Sequence, residues 1–490
     1  FLPDLIAILA FIILSFAYFF PADIEGRILF QHDTAAGVGA GQESKEYLER
    51  TGERTRWTNS IFGGMPTYQM SPSYDSTTSL KGVEKVYRLF LPDYVVLTFI
   101  MMLGFYILLR AFGISAWLAG LGGVIWAFSS YFFILIPAGH IWKFVTLAYI
   151  PPTIAGVVLA YRKKYLLGGI VTALFIALQI QSNHIQMSYY FMFVILFFVG
   201  AYFEDAYKKK ELPHFFKASG VLALAAVVGV CINISNLYHT YEYSKETMRG
   251  KSELKQEGAA ASQTSSGLDR DYITNWSYGI GETLTLLVPN VKGGGSGSTM
   301  SQSEAAMAKA NPMYNGIYSQ LPQYFGEQPW TAGPVYVGAF VMFLFVLGCF
   351  IVKGPLKWAL LGATIFSILL SWGKNFMGLT DFFIDYVPMY NKFRAVSSIL
   401  VIAEFTIPLL AIFALKEILS KPDMLKQEKN CRGVIAALVL TAGVALILAV
   451  APGTFFSSFI TTQEMTALKQ ALPAEHLAPF VANLTEMREA

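Results

Sequence analysis

The sequence predicts an all-α polytopic membrane protein, because of its composition and its repeated apolar segments. Of the 490 residues, 54% are hydrophobic and only 14% are charged, and the mean hydropathy is +0.48. Soluble domains average roughly 45–50% apolar and about 25% charged residues. Because a hydrocarbon core of about 30 Å needs roughly 20 apolar helical residues to cross it, each long apolar segment predicts one membrane-spanning helix.

About eleven segments meet this expectation. They cover residues 5–20, 94–112, 116–136, 145–161, 165–181, 187–203, 218–237, 334–352, 356–372, 396–415 and 433–451. The first is predicted to be retained, because no small-residue cleavage site follows it. The chain starts with Phe1 rather than methionine, which is consistent with a portion of a longer protein. The predicted divisions are an N-terminal transmembrane half (1–237) with a large loop (21–93), a second large loop (238–333), C-terminal transmembrane helices (334–451) and a further segment (452–490).

Basic residues in the short connections predict the orientation. They are Arg110, Arg162 to Lys164, Lys208 to Lys210, Lys217, Lys353, Lys357, Lys416, Lys421, Lys426, Lys429 and Arg432. If the spans alternate, all of these connections lie on one side, which the positive-inside rule makes cytoplasmic. The N-terminus is then cytoplasmic, and both large loops, the turns 137–144, 182–186 and 373–395, and the tail lie outside. Most of the polar chemistry is therefore predicted on the outer face.

Charge and cysteine content exclude other classes of protein. The net charge of +3 is too small to indicate a nucleic-acid partner. Cys231 and Cys349 lie in apolar segments and Cys431 lies in a short basic loop, so no disulfide framework is predicted. Within the large loops, mixed charges at helical spacing predict a short exposed helix over 43–56, and the composition of 292–303 predicts a flexible linker.

Asp33 is the leading candidate for catalysis. It follows the first span on the predicted outer side, next to His32 and before a run of small residues that would let a substrate approach. A carboxylate at the membrane surface could act as a general base on an acceptor hydroxyl. The alternative is a solvated turn acid or a helix cap for the segment that follows.

Two short outer turns carry candidate binding residues. The turn "PAGHIWK" supplies His140 and Lys143, and the turn "QSNHIQ" supplies Asn183, His184 and Gln186. Imidazoles, amides and an ammonium suit phosphate or sugar hydroxyls, whereas a metal-ligand spacing is lacking. The alternative is that these polar and aromatic side chains anchor helix ends at the interface.

Two further outer segments contribute candidates. Lys392 and Arg394 precede the tenth span, where cations are disfavoured, so they could clamp a phosphate or contact lipid headgroups. The segment 236–246 contains Tyr238 and Glu242, which could present an aromatic platform and a second carboxylate, although an aromatic belt would explain the tyrosines too. Glu282, in "GIGETLTLLVPN", is another carboxylate candidate.

Glu404 supports a different reading. It lies inside the tenth span, four residues before Pro408. A carboxylate at membrane depth is costly and usually functional or paired, and a proline-interrupted helix with an acid could form an ion site. A transporter or flippase of lipid-linked substrates would use such a residue.

Several of these motifs occur together in an order that resembles a known family. They are "RWTNSIFGGMPTYQ" (56–69), "GHIWK", "SNHIQ", "GETLTLLVPN" (281–290) and "VPMYNKFRAVSSILVIAEF" (387–405), after an outer loop with Asp33 near its start. Together they resemble the YfhO family of bacterial membrane proteins, which belongs to the GT-C superfamily of glycosyltransferases. The resemblance runs over most of the chain.

The resemblance implies a GT-C-like enzyme of the bacterial cytoplasmic (inner) membrane. Its donor would be a polyprenyl-phosphate-linked sugar, and its acceptor a glycan, a lipid or a wall polymer. An acidic residue of the first outer loop is the base in that superfamily, and Asp33 is the matching position. The usual adjacent acidic pair is absent, since His32 precedes Asp33 and Thr34 follows. No cofactor is assigned, and a Mg²⁺ or Mn²⁺ requirement stays open.

The predicted function is therefore inverting hexosyl transfer at the outer face, with Asp33 as the general base. Lys392 and Arg394, with Lys143, would neutralise the leaving phosphate. The other candidates would hold donor or acceptor hydroxyls; they are His32, His140, Asn183, His184, Gln186, Tyr238 and Glu242. The rivals are a transporter that depends on Glu404 and a non-catalytic envelope assembly protein that uses the outer loops for docking.

Overall fold

The computed structural model describes residues 1–70, 74–250 and 267–490. Helices form almost all of the regular structure there, besides an antiparallel hairpin of β1 (Trp57–Thr58) and β2 (Met65–Pro66). The first eleven helices are α1 (Leu2–Phe19), α2 (His32–Thr51), α3 (Thr78–Tyr87), α4 (Val95–Ala111), α5 (Ala116–Ala127), α6 (Ser130–Ala138), α7 (Ile141–Tyr161), α8 (Tyr165–Gln181), α9 (Ile185–Lys208), α10 (Leu212–Cys231) and α11 (Ile234–Ser244).

Among the described residues, eleven helices follow, the first three of which are short and lie in the second large loop. They are α12 (Arg270–Thr274), α13 (Glu304–Met307), α14 (Asn315–Tyr318), α15 (Ala339–Ile351), α16 (Pro355–Ser371), α17 (Met377–Tyr386), α18 (Val401–Ser420), α19 (Glu428–Leu438), α20 (Val444–Val450), α21 (Thr462–Ala471) and α22 (Ala474–Glu489). The predicted all-α class is confirmed by this element list.

Within the described residues, six helical segments are long and apolar enough to cross a membrane, and eight if two bent pairs each count as one span. The bent pairs are α5 with α6, at 49°, and α16 with the helical residues 373–386, at 110°. Three shorter apolar helices, α4, α8 and α15, overlap the other predicted spans. The apolar helices indicate a membrane-embedded protein, while the count of eleven spans and the GT-C-like arrangement stay predictions.

The chain divides into two compact units. Unit 1 comprises Phe1–Phe128, Phe132–Lys255 and Lys353–Ala363, and unit 2 comprises Ser129–Tyr131, Gln256–Val352 and Thr364–Ala490. The predicted domain boundaries at 237, 333 and 451 separate consecutive stretches of the sequence. Nothing in the structure tests them.

Each unit contains a long apolar helix that is largely enclosed. In unit 1, 94% of the apolar window of α7 is buried, and in unit 2 the figure for α18 with its preceding turn is 83%. By contrast, only 22% is buried in α1, in α10 and in the continuous helical segment Glu428–Val450, which contains α19 and α20. Peripheral helices with exposed apolar side chains are expected where lipid rather than water surrounds the protein.

Small residues bring α7 and α8 into close contact. A Cβ atom at Gly156 would lie 2.6 Å from the backbone nitrogen of Thr172, and one at Gly168 would lie 2.7 Å from the carbonyl oxygen of Gly156. Such distances leave no room for a methyl group. Because lipid removes the hydrophobic drive between helices, close backbone packing at small residues is what holds them together.

The prediction of a flexible linker over 292–303 is wrong. Gly293 and Gly294 have φ angles of +82° and +77°, which build tight turns rather than a free coil. The segment then pairs with 321–323, where Met300 N donates to Leu321 O at 2.9 Å and Gln323 N donates to Ser298 O at 2.8 Å. The glycines of this segment therefore permit tight turns and do not indicate a flexible linker.

Replacing Gly168 by alanine should destabilise unit 1. The added methyl group would press on backbone atoms of α7 that cannot rotate away, so we expect a loss of about 1–3 kcal/mol in the free energy of unfolding. Gly200→Ala is the matched control, because Gly200 lies in α9 with nothing within 4 Å of its added Cβ. Denaturant titration of the protein in detergent would measure both, and equal stabilities would contradict the close packing.

Candidate functional site

Asp33 lies in the first turn of a helix rather than in a loop. The helix α2 begins at His32, with Gln31 as its N-cap, and ends at Thr51, where the C-cap Gly52 has a left-handed φ of +74°. The helix expected over 43–56 therefore starts well before residue 43. A carboxylate in the first turn is favoured by the helix dipole, so the local sequence explains both the helix start and the position of Asp33.

The structure places two imidazoles beside the Asp33 carboxylate. His140 Nε2 lies 3.0 Å from Asp33 Oδ2, and His32 Nδ1 lies 3.4 Å from Asp33 Oδ1. All three side chains are accessible, with Asp33 55% and His140 47% exposed. A carboxylate and an imidazole within hydrogen-bond distance can share and pass a proton, so the three residues form a candidate acid–base group.

A close approach fixes this group in place. Gln31 Nε2 donates to the carbonyl of Ile136 at 2.8 Å, tying the start of α2 to the end of α6. Gly139 has a φ of +80°, and a Cβ atom there would lie 2.7 Å from the backbone nitrogen of Thr34. Glycine is thus required twice at this position, for its conformation and for its lack of a side chain.

Lys143 and His184 lie near the same end of unit 1. Lys143 is in the first turn of α7, not in a loop, and His184 is the N-cap of α9; both are partly buried. Burial first, and then the positive charges of Lys143 and His140, lower the pKa of His184 to about 3. Because the charges of Lys143 and His140 both affect His184, residues of the two predicted outer turns lie close together.

Polar atoms around His184 lack partners. Among the described residues, no hydrogen bond reaches the buried atoms His184 Nδ1, Asn183 Nδ2 and Gln181 Oε1. Asn183, whose φ is +61°, instead accepts from Asn236 Nδ2 at 3.3 Å through Oδ1. Since buried polar groups normally have partners, these orphaned atoms favour a site for a polar ligand. Gln186 lies nearby in sequence and donates to Tyr190 at 2.9 Å.

Aromatic side chains of the segment 236–246 pack against other aromatic side chains of the protein. The ring of His239 stacks between Tyr68 at 4.8 Å and Tyr74 at 5.6 Å, measured between ring centroids. Tyr238 remains 59% exposed. The carboxylate of Glu242 accepts from Lys245 at 2.7 Å, a local pair on the α11 surface. Among the described residues, no contact joins Glu242 to Asp33. The structure therefore does not place Glu242 as a second carboxylate beside Asp33.

Lys392 and Arg394 belong to unit 2. Arg394 is exposed, donates to the Tyr272 hydroxyl at 2.9 Å, and lies 5.4 Å from the centroid of that ring and 6.0 Å from that of Trp276. Partial burial lowers the pKa of Lys392. Their predicted role at a phosphate stays a prediction, because the structure assigns them only these surroundings.

Glu282 has a structural environment. Its carboxylate is 2% exposed and accepts hydrogen bonds from Tyr324 Oη at 2.5 Å, Gly279 N at 2.6 Å and Glu327 N at 3.0 Å. Three donors offset the cost of burying the charge. Glu282 therefore organises the second large loop, and nothing in its contacts indicates catalysis.

One polar cluster was missed by the sequence prediction. Tyr149, in the middle of α7, donates to Glu84 Oε1 at 2.8 Å and accepts from Arg88 Nε at 3.3 Å. Glu84 and Arg88 are also paired with each other across one turn. The Glu-to-Arg spacing of four predicts that helical pair, but nothing local indicates that its partner lies in an apolar span.

Contacts within each unit restrict the topology. Asp33 contacts His140 although two predicted spans lie between them in the sequence. Gln69 Nε2 donates to Thr240 Oγ1 at 2.8 Å, and six predicted spans lie between those two residues. In unit 2, residues 300–321 share an apolar core with 460–487 across four predicted spans. Segments in contact beyond the helix ends lie on one side of a membrane, which requires an even number of crossings between them. With the eleven predicted spans the number of crossings is even in all three cases, and both the span count and the orientation stay predictions.

Comparisons with known proteins return no match: no family model matches, nor does any curated protein or any solved structure. The resemblance to the YfhO family therefore stays a prediction. In the part of the chain that the structure describes, no group of three or more His, Cys, Asp or Glu side chains is arranged to hold a metal ion.

The buried imidazole should make stability depend on pH. The pKa of His184 is about 3 in the folded protein against an ordinary 6.5, so between those values the unfolded chain binds a proton that the folded chain excludes. Stability should therefore fall on acidification, by about 1–2 kcal/mol between pH 7 and pH 5. Unfolding of wild type and His184→Gln by detergent titration at both pH values would measure the difference.

His32→Gln serves as the control, because the His32 side chain is 79% exposed. A variant His184→Gln with the same acid sensitivity as wild type would contradict the burial of this imidazole.

Proposed function

We propose that the protein is a membrane glycosyltransferase that moves a sugar from a polyprenyl-phosphate donor to an acceptor hydroxyl. The observation that carries the proposal is the contact between Asp33 and His140, with His32 on the other carboxylate oxygen. The contact joins residues from two predicted outer segments into one accessible acid–base group, at the junction of the apolar helices α6 and α7. A lipid-linked donor would present its sugar at such a position.

Asp33 is the general base of this reaction. Its carboxylate takes the proton of the acceptor hydroxyl while the acceptor oxygen bonds to the anomeric carbon and the bond from that carbon to the phosphate oxygen breaks. Direct displacement inverts the anomeric carbon, and polyprenyl phosphate leaves with the bonding electrons. A hydrogen bond from His140 to Asp33 orients the carboxylate.

Lys143 and His140 supply positive charge where the phosphate departs. Both influence the same buried imidazole, that of His184, so their charges act on a common region of unit 1. Fixed cations aimed at a developing negative charge lower the barrier most when water is largely excluded. The orphaned polar atoms of Asn183 and His184 offer hydrogen bonds to sugar or phosphate oxygens in the same region.

A second candidate function is transport of a lipid-linked substrate through unit 2. Glu404 is fully buried in α18, one oxygen accepts from Ser129, and the other has no hydrogen-bond partner among the described residues. Ser129 lies where the α5–α6 span is broken. A buried acid beside a broken helix is typical of ion-coupled transporters. The polar chemistry around Asp33 favours the enzyme.

The substitution Asp33→Asn should remove transferase activity while the protein stays folded. Loss of a general base typically lowers turnover by about 10²–10⁴-fold, and the amide retains the size of the side chain. Release of polyprenyl phosphate from a polyprenyl-phosphate hexose in proteoliposomes would measure it. Asp93→Asn, an exposed aspartate of the same predicted loop, should keep wild-type activity.

Glu404→Gln discriminates between the two functions. The enzyme should keep its transfer rate, because the proposed mechanism uses residues of unit 1, whereas Glu404 belongs to unit 2. A transporter should instead lose flux with Glu404→Gln and keep it with Asp33→Asn. Tolerance of both substitutions in every assay would indicate a non-catalytic assembly protein.

A further inference from the structure

A cavity of about 320 Å³ lies within unit 2, between three chain segments that are distant in sequence. They are residues 296–299, 320–329 and 461–464. The first two are fastened together, because Gln323 Nε2 donates to the carbonyl of Thr299 at 2.8 Å in addition to the backbone pairing. The volume is at the lower end of the range for small-molecule sites, roughly 300–1,000 Å³, so a short ligand would fill it.

The lining is polar but carries little net charge. Among the described residues that line the cavity, Glu464 is the one charged side chain. Both of its oxygens accept hydrogen bonds from Arg488 at 2.7 Å, and the Arg488 side chain is 1% exposed. The Arg488 guanidinium therefore neutralises the Glu464 carboxylate. A charged ligand would find no unpaired countercharge here, so the cavity favours a neutral one.

Three glutamine amides face the cavity. The side chains of Gln320 and Gln463 have no hydrogen-bond partner among the described residues, and the side chain of Gln328 is hydrogen-bonded to Tyr324. Each amide offers one oxygen acceptor and two N–H donors, and a sugar hydroxyl both donates and accepts. Hydroxyl groups add to this pattern at the cavity wall, on Ser296, Thr299 and Thr461. The lining therefore matches a molecule with many hydroxyl groups.

The cavity wall also holds an immobilised aromatic ring. The Tyr324 hydroxyl donates to the buried Glu282 at 2.5 Å and accepts from Gln328 N at 3.0 Å, so the ring cannot turn away. Trp330 follows the lining residue Pro329 directly and is 56% exposed. Aromatic faces beside hydrogen-bonding groups suit ligands that have both apolar and polar faces, as a sugar ring does.

We propose that this cavity binds a neutral saccharide segment of the acceptor, an inference that rests on the glycosyltransferase function proposed above. The ligand class is an uncharged mono- or disaccharide unit held by amides and hydroxyls. Glu282 and Arg488 act as positioning residues, because they hold Tyr324 and Glu464 rather than the ligand. The motif "GETLTLLVPN" thereby gains a role in shaping the site.

Binding of neutral disaccharides to the full chain in detergent tests this proposal. The probes are cellobiose and N,N′-diacetylchitobiose, measured by saturation-transfer NMR with titration. We expect at least one of them to bind and the double variant Gln328→Leu, Gln463→Leu to weaken its binding at least tenfold. Gln470→Leu is the matched control, because Gln470 is exposed on the same helix, α21, outside the cavity.

The outcomes separate this proposal from the catalytic one. Failure of both probes to bind wild type, or equal binding by the double variant, would overturn the saccharide site. Loss of binding in Asp33→Asn with retention in the double variant would also overturn it, by placing the sugar in unit 1. If the double variant loses binding and Asp33→Asn keeps its transfer rate, the saccharide site stands and the proposed function fails.

Discussion

Close packing of α7 is the constraint on which the rest of unit 1 depends. The helix approaches α8 at Gly156 and Gly168 so nearly that a methyl group has no room. Its first turn carries Lys143 and its middle carries Tyr149, so one helix positions both polar clusters of the unit. In a bilayer, where apolar side chains gain nothing by leaving lipid for protein, such backbone contact replaces the hydrophobic effect as the source of rigidity.

Much of the fold follows from the sequence because apolar length is a strong signal. All eleven predicted segments overlap helices of the structure, although only six to eight of them meet the length and hydropathy expected of a span. The sequence predictions were wrong where the same local residues are compatible with two different structures. The glycines at 293 and 294 predicted a free linker but make turns, and the helix containing Asp33 starts at His32 because its weakly apolar first residues hide the helical pattern.

The candidate site was predictable in its parts and not in its assembly. Asp33 and His140 were each selected from the sequence, yet their 3.0 Å contact depends on Gly139 and on the Gln31 bond to Ile136. Likewise, nothing near Gln463 indicates that it faces Gln328, since α21 and the second large loop are separated by four predicted spans. Long-range contacts of this kind are determined by packing, which local patterns do not encode.

The core shared by 300–321 and 460–487 sets an order of events during synthesis. Tyr314 and Tyr318 pack against Phe480, and Tyr318 donates to Asn483 at 2.5 Å, but those partners are made more than a hundred residues later. Until the ribosome has delivered them, the earlier segment displays aromatic surface with nothing to cover it. Such an interval is when a nascent chain is most exposed to aggregation and to chaperones, and a slow step in inserting the intervening helices would prolong it.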